Sequence, residues 1–164
     1  LVLTYGPLFR AADVYAYMEQ ALTPPALLRV LTDPTSWVFA ATVNNGWIGY
    51  THVRLAALPE GIASNHAAGV GTTPMEIARF YLKSKWHGQG VAQAMLTTVV
   101  QHAEAQGAPT IWLSVWQENA RAISFYQKCE FVSIGNGTFL MGEDLQNDFI
   151  MERAIAKIPV QTSE

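Results

Sequence analysis

Gly88 and Gly90 stand one residue apart in the stretch KWHGQGVAQAML, Lys85 to Leu96, and an apolar pattern of helical period starts directly behind them. A strand, a glycine turn and a helix in succession make an anion site. The first backbone N–H groups of the helix have no intrahelical partner, and the helix dipole favours negative charge at that end. Glycine also lets the backbone approach a phosphate with no Cβ in the way. N–H groups from Gly88 through Gln89, Gly90 and Val91 to Ala92 can therefore converge on a pyrophosphate. Two owners of such a turn are excluded by spacing. A Walker A loop needs four residues between its glycines and then Gly-Lys-Ser/Thr, which this stretch lacks. A dinucleotide fingerprint needs a third small residue where this chain has Gln93, and it opens a βαβ unit where this chain places a hairpin.

The rest of the composition narrows the setting. A length of 164 residues suits one domain spanning 1–164. Hydrophobic content of 50% against 14% charged residues makes the chain globular rather than disordered. A net charge of −3 argues against a nucleic-acid partner, which would call for a basic face. No apolar run approaches the roughly 18 residues of a membrane span, and the N-terminal stretch lacks a basic-then-apolar signal layout. The single cysteine, Cys129, excludes an internal disulfide and fits a reducing, cytoplasmic setting. His52, His66, His87 and His102 show no zinc spacing, so no metal is expected.

The turn has to be held by regular elements, and the periodicity supplies them. Helices are expected over Ala11–Leu22 and over Thr23–Asp33, the second capped by Thr23 and stopped by Pro34. Ser36–Val43 and Trp47–Leu58 read as a hairpin around the Asn44–Gly46 turn. From Pro59 to Pro74 the Gly, Ala, Ser and Thr content predicts a mobile surface loop beside a substrate entrance. Met75–Leu82 reads as the strand before the glycine turn. A helix with Val91, Met95, Val99 and Ala103 on one stripe then runs to Gly107. Thr110–Trp116 is a near-continuous apolar strand of the buried parallel kind, with Trp112 and Trp116 on one face. Asn119–Cys129 is a helix that Asn119 can cap. Strands over 131–135 and 148–155 close the fold, joined by a loop holding Gly135, Gly137 and Gly142. His102 is expected at a solvated helix position and Cys129 as a small packed residue.

HGQGVA, His87 to Ala92, resembles the phosphate-binding motif of the GNAT superfamily of N-acetyltransferases, with His87 where Arg or Gln is usual. NARAISFYQKCEF resembles the second signature of that superfamily at Asn119, Ala122, Phe125, Tyr126, Lys128 and Phe131. Glu130 stands where glycine is usual, so the turn after that helix is expected to differ. Trp112, Val115, Trp116, Asn119, Gly142, Gln146, Asp148 and Met151 also resemble the spermidine/spermine N-acetyltransferase (PaiA-like) branch. Ser114 and Gln117 depart from that pattern.

The resemblance implies an α/β fold of α+β type: a central mixed, mostly antiparallel twisted sheet with splayed middle strands, flanked by helices. It implies acetyl-CoA as cosubstrate and transfer of an acetyl group to a primary amine of a small molecule such as a polyamine. His87, Gly88, Gln89, Gly90, Val91 and Ala92 would hold the pyrophosphate and Phe80, Tyr81 and Leu82 the pantetheine arm. Asn119, Phe125, Tyr126 and Lys128 carry over as coenzyme-binding positions, with Tyr126 also the proton donor to the leaving thiolate. Glu76 is the expected base, because a protonated amine must lose a proton before it attacks. A homodimer is expected by the same analogy. The alternatives are a CoA-binding regulatory module without turnover, and transfer to a protein N-terminus or another amine.

Overall fold

The computed structural model describes residues 24–44, 46–67 and 69–155. The helix read over 11–22 and the Thr23 cap lie outside the described residues. Helix α1 (Pro24–Thr32) ends where Pro34 forbids another turn, and Asp33 closes the corner by accepting from the Thr35 N–H and hydroxyl, both at 2.8 Å.

Six strands follow: β1 (Ser36–Val43), β2 (Gly46–Leu55), β3 (Met75–Leu82), β4 (Thr110–Trp116), β5 (Val132–Met141) and β6 (Asp144–Ala154). They form one sheet in the order β1-β2-β3-β4-β6-β5. All neighbours are antiparallel except β3 and β4. That parallel step needs a crossover, and helix α2 (Val91–Ala105) makes it; helix α3 (Ala120–Lys128) then links β4 to β5. The mixed, mostly antiparallel sheet flanked by helices is the architecture expected.

The alternation along the strands assigns the two faces. Ile111, Leu113 and Val115 of β4 join Val53, Met75, Ile77 and Met151 in the main core, together with Leu96, Val99 and Ala103 of α2 and Tyr126 and Phe131 at α3. Both helices therefore cover the same face. Each of these side chains stabilises the fold by about 1.5–3 kcal/mol through burial. The opposite face carries Glu76, Trp112, Ser114, Asp148 and Glu152, and the 56–74 segment lies over part of it. There Trp112 Nε1–H donates to the Ala56 carbonyl at 2.9 Å, and the buried Glu152 accepts from the Asn65 N–H at 3.1 Å. The segment expected to be a mobile surface loop is thus tied to the sheet by bonds to β4 and β6.

Three local expectations change. β2 ends at Leu55: the Ala56 N–H makes one more in-register bond, to the Pro74 carbonyl, and the chain then leaves the sheet. β5 runs on to Met141, so Gly135 and Gly137 lie inside a strand and only Gly142 and Glu143 form the turn. Both glycines have a packing reason: a Cβ on Gly135 would come within 2.5 Å of Ile62 Cδ1, and one on Gly137 within 3.3 Å of Ile150 Cδ1. His102 is only partly solvated. Its ring sits edge-on to Trp37 and Phe39, at 4.4 and 5.1 Å, and burial pushes its pKa down.

Candidate active site

β3 and β4 pair only through Met75–Ile111, Glu76–Trp112 and Ile77–Leu113, and then they part. The register with β2 shows the cause. His52 pairs with Arg79 and Val53 with Ile77, so Ala78 is an extra residue in β3. Such a bulge bends its strand and increases local twist, which here carries the end of β3 away from β4. The Lys83 N–H bonds to the Ile48 carbonyl at 2.8 Å and fixes the phase of the ladder. Tyr81 faces β2, while the backbone groups of Phe80 and Leu82 point into the opening. The Leu82 carbonyl takes a hydrogen bond from His87 Nε2–H at 2.9 Å, which leaves Nδ1 as the unprotonated nitrogen of the neutral ring.

The glycine turn lies at the end of β3, beyond a short 3₁₀ turn at Ser84–Trp86. Gly88 and Gly90 are both left-handed, with φ of 74° and 79°, and nothing lies within 4 Å of where a Cβ on either would be. Val91 and Ala92 pack their side chains against Ile48, Leu82 and Met95, which fixes the start of α2 to the end of β3. The first helical bond accepted by Gly90 comes from the Ala94 N–H, so the N–H groups of Val91, Ala92 and Gln93 precede the ladder. Open space above a left-handed turn with unpaired N–H groups suits a pyrophosphate.

On the same side of the sheet, the Asn119 side chain caps α3 by accepting from the Ala122 N–H at 3.2 Å, while its buried Nδ2 has no partner. Tyr126 is buried one turn further on. Its ring meets Phe80 at 6.2 Å, Phe125 at 5.3 Å and Phe131 at 5.5 Å. The structure thus joins Phe80, Phe125 and Tyr126 at the wall of the opening. Lys128 is not among them: it lines a groove of about 490 Å³ between α2 and α3 with Gln93, Thr97, Gln101 and Arg153. The turn after α3 keeps the glycine-type geometry despite Glu130, which takes φ of 70° while the Phe131 N–H bonds back to Tyr126. Burial pushes the Cys129 thiol up, as suits a packed side chain rather than a nucleophile.

The other face holds the carboxylates. Glu76 pairs with the Arg54 guanidinium on β2, which turns it away from β4 and places it across the sheet from Tyr126. Ser114, the first β4 residue beyond the parting, is exposed in an otherwise buried strand, and its hydroxyl donates to Asp148 Oδ2 at 2.6 Å. Asp148 is only 6% exposed; burial raises its pKa, and the Ser114 hydrogen bond partly opposes the shift. In the sequence Asp148 stands out only as one of the residues that fit the spermidine/spermine-branch pattern. The Ser114–Asp148 pair spans 34 residues, and no local signal could have found it.

The acetyltransferase (GNAT) family profile matches residues 7–131. An uncharacterised N-acetyltransferase of Mycobacterium tuberculosis is 29% identical over 153 residues, covering 93% of this chain and 89% of that protein. The spermine/spermidine N(1)-acetyltransferase of Bacillus subtilis is 33% identical over 72 residues, 41% of this chain and 47% of that one. The structure of a PaiA N-acetyltransferase from Thermoplasma acidophilum in complex with coenzyme A superposes with a TM-score of 0.66 at 18% identity, over 93% of this chain and 84% of that one. The chain belongs to the GNAT family and is an N-acetyltransferase that uses acetyl-CoA.

Proposed function

We propose that this enzyme acetylates a primary amine of a small polycation of the polyamine class, by direct attack within a ternary complex. One observation carries the reading: the parting of β3 and β4 connects the phosphate-holding turn on the helical side with the face that bears Glu76, Asp148 and Glu152. Local similarity to the Bacillus subtilis spermine/spermidine enzyme supports the acceptor class. Carboxylates beside an opening favour a cationic acceptor over a neutral one.

When bound, acetyl-CoA supplies the thioester. The N–H groups from Gly88 to Ala92, with His87 beside them, hold the pyrophosphate. Backbone groups of Phe80 and Leu82 flank the pantetheine arm, with Asn119 Nδ2 free to donate to one of its carbonyls. The Leu82 N–H is the donor placed to meet charge on the thioester oxygen as the amine attacks. The Tyr126 hydroxyl gives its proton to the departing sulfur. Glu76, the base expected from the sequence, stands on the acceptor face with Arg54 held against it, and its charge there helps to draw in the cation.

CoA release should be followed with a thiol reagent across spermidine, spermine, simple diamines, amino acids and N-terminal peptides. The expected result is turnover with the polyamines. Turnover only with peptides would refute the acceptor class, and release with no amine would refute the transfer itself.

A further inference from the structure

We propose that Ser114 is a catalytic residue of the acceptor side, receiving the proton of the incoming ammonium group, and that Asp148 stands behind it as the carboxylate that draws that proton away. The inference rests on the ternary-complex transfer proposed above.

Position is the first argument. β4 is buried along its length except at Ser114 and, in part, at its end. The one exposed residue of β4 is the first beyond the last β3–β4 pair, Ile77–Leu113. A polar side chain open to solvent at the apex of the parting is where an acceptor nitrogen must arrive. Direction is the second. The Ser114 hydroxyl spends its hydrogen on Asp148 Oδ2, so its lone pairs are left to accept from outside. Tyr126 lies on the other face, so the group that removes a proton and the group that delivers one are kept apart by the sheet.

The surroundings of Asp148 are the third. β4 presents Trp112, Ser114 and Trp116 on this face, none of them charged. β5 places Gly137 directly opposite Asp148. Along β6 the carboxylates in the same phase are Asp144 and Glu152, one on either side; Glu152 is engaged by Asn65 and lies 3.7 Å from His66 of the covering segment. From β3 and β2 the same face carries Glu76 paired with Arg54, and Arg79 opposite His52. Among the described residues no cation pairs with Asp148. A buried carboxylate held by one hydroxyl is costly to keep ionised, and its raised pKa follows from that burial. Burial thus makes this carboxylate a better proton acceptor than an exposed aspartate, and it stands beside the opening.

The protons balance. The ammonium R–NH3+ passes one proton to Ser114 Oγ as the Ser114 hydrogen moves to Asp148, which leaves R–NH2. The nitrogen lone pair forms the C–N bond and the C–S bond breaks. The second nitrogen proton is released to solvent as the amide forms, Tyr126 regains from solvent the proton it gave to sulfur, and the proton on Asp148 leaves through the exposed serine.

The test uses the full chain with acetyl-CoA and spermidine, read as kcat/KM for the amine across pH 6–10, with CoA affinity by calorimetry and melting as controls. Ser114→Ala and Asp148→Asn should each lose about 100-fold at neutral pH. The loss should shrink as pH rises, since the amine then arrives already neutral, and CoA affinity should stay at the parental value. Ser114→Thr should restore most of the rate. Should Asp148→Asn fail to fold, the exposed Ser114 pair decides alone. Folded variants with the parental pH profile overturn this inference and leave the transfer reading intact. A parent that releases no CoA with any amine overturns both.

Discussion

Replacing Gly90 by alanine separates two roles of one residue. At φ of 79° a Cβ strains the backbone, yet it meets nothing within 4 Å. The stability cost is therefore the left-handed conformation alone, about 1–2 kcal/mol, or about 2–8 °C in melting temperature for a chain of this size. The same Cβ projects into the open space where a pyrophosphate would lie. Losing one charge-assisted N–H contact costs about 1.5–3 kcal/mol, which weakens CoA binding about 10- to 150-fold. Gly107 supplies the matched control: it has φ of 74°, equally empty surroundings and a place at the far end of α2. Gly107→Ala should show the same fall in melting temperature with CoA affinity unchanged. Scanning calorimetry and isothermal titration with CoA measure both quantities. Equal affinities in the two variants would refute the assignment of the phosphate to this turn.

Other expectations follow from the same geometry. Tyr126→Phe keeps the aromatic contacts with Phe80, Phe125 and Phe131 and should lower kcat about 100-fold with CoA affinity unchanged in calorimetry. Burial first, and then Arg79 and Arg54, push the His52 pKa down to about 4 from 6.5. The neutral folded ring thus contributes stability that is present above pH 6.5 and lost as pH falls through 4, about 3 kcal/mol in all. Urea titrations of the parent and His52→Gln between pH 4 and 7 should show that slope only in the parent. Gly135→Ala should cost about 0.5–1.5 kcal/mol, the cost of turning the end of the Ile62 side chain aside, and adding Ile62→Ala should recover part of it in the melting temperature. No recovery would mean the covering segment is not pinned to β5.

The glycine turn and the helix cap of the candidate site were legible because they are local. Positive-φ glycines ahead of an apolar helical stripe, and an asparagine ahead of Ala122, dictate their turns through short-range sterics and unpaired N–H groups. The structure has both where the residues put them. Local rules misled where a distant neighbour outweighed them. Gly135 and Gly137 read as loop, yet the ladder with β6 and the approach of Ile62 and Ile150 make them strand. His102 read as solvated until Trp37 and Phe39 of β1 closed over it. Glu130 was expected to change its turn, but packing around Phe131 holds the left-handed geometry against the side chain's preference.

The sequence by itself determined most of the elements, the glycine turn, the cap on α3 and the family, because each is written within a dozen or so consecutive residues. Only the tertiary structure decided where the sheet opens and which carboxylate faces the opening. The bulge at Ala78 exists only relative to the β2 register, Arg54 claims Glu76 from the neighbouring strand, and Asp148 reaches Ser114 only once β6 lies beside β4. Those facts depend on which strands pair and in what phase, a long-range choice that no local propensity encodes.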